Sequence, residues 1–269
     1  MAIYDLGPVI GVDVYKNDLV VKRTGTPSNP DPPVRGVIKE LSKASRRRLA
    51  FIASNTDVTF RTMVTLTYPA QFPSDGLKVK RDLRAFLDWW RRDRGPSSYL
   101  WFLEFQARGA PHVHLLFENE WPHSKETVKG LRFRVISTWY RIVDSKDPRH
   151  LLAGTSVERI RKPNGGAHYA VKYAQKTYQK LVPAGYQNVG RFWGCSRDVV
   201  PKPIDTLRCT EDDVRGLLDG WEYLPDEQHP LYRVCYNQAH RVRDRVAGEL
   251  DKRGEKHYTA SEKQFHEHE

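Results

Sequence analysis

Residues 111–117 read Pro-His-Val-His-Leu-Leu-Phe, and this stretch limits the fold more than any other. Two histidines flank one aliphatic residue inside an apolar run of strand length. Side chains of a strand alternate between faces. His112 and His114 therefore point one way, and Val113, Leu115 and Phe117 point the other. The apolar set demands a core behind it. The two imidazoles then stand side by side on a rigid sheet, a ready pair of metal ligands.

The flanking pattern extends that sheet. Residues 62–68 read as a strand ended by Pro69, and residues 77–92 fit a helix with Leu83, Phe86, Leu87 and Trp90 at helical spacing. Residues 98–105 form a second strand, 106–111 a Gly/Pro-containing turn and 112–117 a third strand. Ser124 caps a helix running to about Val143. Residues 155–160 are a fourth strand, Asn164-Gly165-Gly166 leads into a helix through about Leu181, and residues 192–196 are a fifth strand. The order β-α-β-β-α-β predicts an α+β fold: a ferredoxin-like, RRM-like antiparallel sheet of about five strands with helices on one face. Residues 38–53 also read as a helix, after a Pro-rich loop over 26–33. The expected organisation is an N-terminal extension over 1–45, a main domain over 46–204 and a helical region over 205–250. A charged, apolar-poor, disordered tail is expected over 251–269.

Glu104 lies near the end of the second strand. If that strand and the histidine strand form a hairpin, Glu104 stands across from His112 or from His114. Either register has the same parity, so all three side chains share one face. Two imidazoles and a carboxylate leave coordination positions for water or a phosphate oxygen. Such mixed nitrogen and oxygen ligation suits Mn²⁺ or Mg²⁺, and zinc also takes it. A bare His-x-His is more often two histidines on a polar face, and Glu104 is what raises this pair above that reading. His266 and His268 repeat the spacing in the tail but lack apolar flanks, so they read as solvated.

Residues 168–180 carry a second constellation. Tyr169 and Tyr173 are one helical turn apart, with Lys172 and Lys176 in the same stripe. Val171, Ala174, Tyr178 and Leu181 line a different, more apolar face. Tyrosines of a core helix share their stripe with apolar residues, whereas these share it with lysines. A lysine beside a phenol favours the phenolate and also holds a phosphate. Tyr178 is a third candidate nucleophile, and the order in which the tyrosines act stays open.

Lys and Arg number 44 against 33 Asp and Glu, a net charge of +11 over 269 residues. Such an excess points to a polyanionic partner. Arg46, Arg47, Arg48, Arg91, Arg92, Arg94, Arg159, Arg161 and Lys162 are candidates to track a phosphate backbone. Trp89, Trp90 and Trp101 are candidates to stack on bases, with Trp90 better suited to the core by its helical register. Three widely spaced cysteines, with no Cys-x-x-Cys, predict a reducing compartment without a structural zinc or disulfide framework. No apolar run approaches a membrane span, no signal peptide is evident, and a cytoplasmic location is expected.

Taken together, these residues resemble the HUH endonucleases, and within them the rolling-circle replication initiators of two-tyrosine type. The resemblance covers roughly residues 60–200. Thr65-Leu66-Thr67-Tyr68 is similar to the first motif and residues 111–116 to the second, with Glu104 at the third metal ligand. Residues 169–176 are similar to the third motif, and the stretch 192–197, with Arg197, to a segment that follows it. The resemblance implies an HUH endonuclease fold and a metal-dependent, site-specific single-stranded DNA endonuclease and strand transferase. Its metal would be Mn²⁺ or Mg²⁺ on His112, His114 and Glu104. Its nucleophiles would be Tyr169 and Tyr173, assisted by Lys172 and Lys176, and a 5′-phosphotyrosine would form. Implied partners are single-stranded DNA or an origin hairpin, a separate helicase, since the chain has no Gly-Lys dipeptide for a Walker A loop, and host replication machinery. Alternatives are a conjugative relaxase or transposase of the same superfamily, a metal-dependent hydrolase using water, and a non-catalytic nucleic-acid-binding protein on a ferredoxin-like sheet.

Overall fold

A turn with one glycine sets the register on which the candidate site depends. Gly109 adopts φ 81, a left-handed conformation that favours glycine. It lets the chain reverse between Tyr99–Phe105 and Pro111–Phe117, closed by Gln106 N donating to Ala110 O at 2.9 Å. Arg108 braces the reversal by donating to the carbonyls of Tyr68 and Pro69 at 2.6 and 2.8 Å. In the resulting hairpin Glu104 stands opposite His112, and Phe102 opposite His114.

The structure is a computed structural model that describes residues 10–23, 36–162, 166, 169–170, 172, 181–210, 224–225 and 231–235. In chain order the elements are β1 (Ile10–Val14), β2 (Asp18–Arg23), α1 (Lys43–Asn55), β3 (Thr62–Thr67), α2 (Gly76–Arg94), β4 (Tyr99–Phe105) and β5 (Pro111–Phe117). They continue with α3 (Lys125–Ile142), α4 (Pro148–Ala153), β6 (Thr155–Arg159), β7 (Trp193–Cys195), β8 (Asp205–Cys209), β9 (Leu224–Pro225) and β10 (Leu231–Cys235). The chain divides into two compact units. One comprises 35–200, the other 1–34 with 201–269.

The 35–200 unit is α+β, built on a five-stranded antiparallel sheet in the order β6-β3-β5-β4-β7. Its first four strands and the helices α2 and α3 carry the expected β-α-β-β-α-β order. The helix starts follow from local chemistry. The Ser124 side chain accepts from Thr127 N in a capping box before α3, and Asp75 accepts from Leu77 N before α2. One face of the sheet presents Val64, Leu66, Leu103, Val113, Leu115 and Phe117 to Phe86 and Trp90 of α2 and Trp139 of α3. Trp90 is 2% exposed and stacks on Phe117 with ring centroids 3.9 Å apart, so it belongs to the core. Trp101 lies under the Lys80 ammonium, 4.6 Å from its ring centroid, and Trp89 packs against the same core.

Helices also cover the other face, which corrects the expectation of a one-sided sheet. Leu49, Ile52 and Ala53 of α1 pack there against Met63, Leu100, Phe102 and Leu116. Both faces of β5 are consequently buried. The local periodicity of α1 shows an apolar stripe but not which side of a sheet receives it. The expected helix ending near Leu181 also needs correction. Leu181 pairs with Glu40 as an isolated bridge instead. The short helix α4 is an addition to the expected elements.

The second unit contains a five-stranded antiparallel sheet in the order β8-β1-β2-β10-β9. Residues 205–209 and 231–235, expected to be helical, are strands. Strand β8 pairs with β1 across nearly the whole chain, a partnership that local pattern does not reveal. The expected separation into an N-terminal extension and a C-terminal region thus differs from the observed grouping. The tail at 251–269, with His266 and His268, lies outside the described residues. Among the described residues, no helix is long and apolar enough to cross a membrane.

Candidate active site

Strand alternation places the site on the face covered by α1. Successive rows of neighbours there read Glu104, His112 and Thr67, then Phe102, His114, Thr65 and Ser156. His114 is 4% exposed and Glu104 2%, while His112 is half-buried. The two imidazole centroids lie 4.5 Å apart, edge to face, and Phe102 stacks on His114 at 5.1 Å.

Each ring is held by a threonine. His112 Nδ1 lies 2.8 Å from Thr67 Oγ1, and His114 Nδ1 lies 3.0 Å from Thr65 Oγ1. With Nδ1 donating to the hydroxyl, each Nε2 keeps its lone pair for a ligand. Thr67 is itself pinned. Its carbonyl accepts from Trp139 Nε1 and His150 Nε2, each at 2.7 Å, and its N–H donates to Gly154 O at 2.8 Å. The sequence shows the Thr-x-Thr alternation facing His-x-His, but only the pairing of strands makes the threonines ring partners.

The donor set suits a divalent ion. Glu104 Oε2 lies 3.3 Å from His114 Nε2. Two adjacent ligands on a common ion, each about 2.1 Å away, sit roughly 3 Å apart. Two donors are thus already at coordination spacing. Among the described residues no group of three or more His, Cys, Asp and Glu side chains is gathered closely enough to hold a metal ion as it stands. Completing the set requires His112, the more exposed ring, to swing toward the other two.

The tyrosine segment packs on this same face. Gly166, Tyr169, Ala170 and Lys172 are helical. Ala170 is fully buried among the α1-side core residues and Tyr169 packs against them, half-buried, while Lys172 is exposed. Gly166 makes the approach close: a Cβ there would lie 2.7 Å from the Phe60 ring. Tyr173, Lys176 and Tyr178 lie outside the described residues. Tyr68 of the first motif faces the opposite core. Its hydroxyl donates to Asp82 Oδ2 at 2.8 Å, and burial beside that carboxylate pushes its pKa well up, which suits packing and not nucleophilic chemistry.

The basic candidates do not form one surface. Arg46, Arg47 and Arg48 ride on α1 and so belong to the histidine side. Exposed Arg91 and Arg92 end α2 on the opposite side, with Arg94 half-buried beside them. Arg159 points to that opposite side as well, since it is paired with Thr62 on the face of Val64 and Val157. Arg161 and Lys162 are exposed beyond β6, and Arg197 is exposed in a short 3₁₀ turn after β7.

Residues 61–178 match the family model of the replication-associated protein ORF2. The matched segment is less than half of the chain, yet it takes in Glu104, both histidines, both threonines and Tyr169. No curated protein matches the chain. The family match supports a replication-initiator role, with DNA as the polymer bound.

Proposed function

We propose that the chain is a rolling-circle replication initiator of the HUH endonuclease superfamily, which nicks and rejoins single-stranded origin DNA through a 5′-phosphotyrosine. One observation carries this reading. His112, His114 and Glu104 share a sheet face, and Tyr169 packs on that same face. A divalent ion held by these three side chains, Mn²⁺ or Mg²⁺, would draw electron density from the scissile phosphate. Thr65 and Thr67 fix the ring orientations. The Tyr169 oxygen attacks phosphorus in line, releasing its own proton to water. A P–O bond to tyrosine forms as the bond to the 3′ oxygen breaks, and that oxygen leaves protonated. The 5′ phosphate stays on the protein, so the reverse reaction needs no ATP. Lys172, exposed one turn along, neutralises the phosphate and favours the phenolate. Tyr173, by its sequence spacing, is a second nucleophile for closing a displaced strand.

The test is incubation with Mn²⁺ and pooled single-stranded oligonucleotides. A covalent adduct that survives boiling in detergent is expected, abolished by chelator and by His114→Ala. An adduct formed at full yield in excess chelator would overturn the metal-dependent reading.

A further inference from the structure

A cavity of about 680 Å³ lies beside β7, the edge strand of the same sheet. Its walls are the segment entering α1, the first turns of that helix, and residues 190–195. Lys39, Arg48 and Arg191 line it against one acid, Glu40. Among the described residues, no ion pair holds Arg48 or Arg191. Both are exposed, and nothing in the fold needs their charge. Trp193 supplies an indole wall whose Nε1 donates to Ser45 Oγ at 2.9 Å, which fixes the ring plane.

The cavity's position matters as much as its chemistry. Trp193 pairs with Phe102, and Phe102 pairs with His114. Cross-strand partners share a face, so Trp193 opens onto the histidine side. Two strand spacings separate β7 from β5, about 10 Å. An extended nucleic-acid strand covers that distance in one or two nucleotides. The volume falls in the range of small-ligand sites, and a flat aromatic wall flanked by cations is the chemistry that holds an unpaired base and its phosphate.

We propose that this cavity binds one or two unpaired nucleotides of single-stranded DNA next to the reacting phosphate, with Arg48 and Arg191 on the backbone and Trp193 against a base. The ligand class rests on the strand-cleaving reading above, while the geometry of the cavity does not. The site holds the strand at the β7 edge so that the neighbouring phosphate reaches His112 and His114.

The experiment uses the full chain in chelator, where cleavage is absent, with a labelled dT12 oligonucleotide. Arg48→Ala/Arg191→Ala should weaken binding at least tenfold and lower the slope of log affinity against log salt by about 1.4, near 0.7 for each phosphate no longer neutralised. The double lysine variant should restore the slope. A dT12 carrying 5-iodouracil should photocrosslink to the tryptic peptide that contains Trp193. Binding within twofold of the parent at unchanged slope, or crosslinks that all map elsewhere, would overturn the proposal. An intact crosslink without any covalent adduct under Mn²⁺ would keep this site and sink the nuclease reading. An adduct without the crosslink would do the reverse.

Discussion

At the scale of single residues, the site depends on threonines as much as on histidines. A ring free to rotate presents its lone pair in many directions, and fixing Nδ1 selects one. Thr67 is the stiffer of the two supports, because its backbone is held by Trp139, His150 and Gly154. Thr67→Val keeps the volume and removes the hydroxyl. Mn²⁺ affinity by titration calorimetry should fall about 10–100-fold, while Thr67→Ser stays near the parent. Equal affinity in the valine variant would show that Thr67 does not orient His112. The tyrosines give a second residue-level expectation. Tyr169→Phe and Tyr173→Phe should each retain part of single-turnover cleavage and each impair joining, and the double variant should form no adduct. Loss of all adduct in Tyr173→Phe alone, with Tyr169→Phe unaffected, would make Tyr169 a packing residue. The adduct peptide, identified by mass spectrometry, also tests Tyr178.

At the scale of elements, α2 carries a cost that a pH series exposes. Lys80 is half-buried against Trp101, and burial pulls its pKa down to about 8. Cation–π attraction to the indole favours the charged form, but desolvation outweighs it. In the unfolded chain lysine titrates near 10.4. Between those values the unfolded state binds more protons, so stability should rise with pH from about 8 to about 10. Urea midpoints across that range should climb for the parent and stay flatter for Lys80→Met. The methionine variant should also be the more stable near neutrality, because it carries no charge to desolvate. A parent midpoint that stays level or falls as pH rises would contradict the burial of this ammonium.

At the scale of the whole molecule, the +11 charge and the covered sheet face set what DNA form can react. The tyrosine segment and α1 both pack on the histidine face, so a phosphate must enter from the side. A relaxed duplex is too wide and too stiff to do so. Cleavage of single-stranded or extruded DNA should exceed that of relaxed linear duplex by an order of magnitude or more, measured by adduct yield. Binding should weaken steeply from 50 to 200 mM salt. Equal cutting of both forms would contradict the side-entry geometry. The split of basic residues matters here too. Reversing charge at Arg91 and Arg92 should cost less binding than at Arg46–Arg48, since only the latter lie on the histidine side.

Period-2 alternation through 111–117 and the parity between Glu104 and the histidines are local properties, and they are enough to put three side chains on one face before any strand is paired. The β-α-β-β-α-β order and the Ser124 cap are legible for the same reason: caps, turns and periodicity act within a few residues. The Thr65 and Thr67 supports, the register that sets Glu104 opposite His112, and the second helical layer formed by α1 are not. Each depends on which strands lie side by side, and residues far apart in sequence carry no local mark of that. The β1–β8 pairing is the extreme case, joining the two ends of the chain into one unit. Residue chemistry along the strand thus determined what the site is made of. Only packing in three dimensions decided what holds it still and from which side a substrate reaches it.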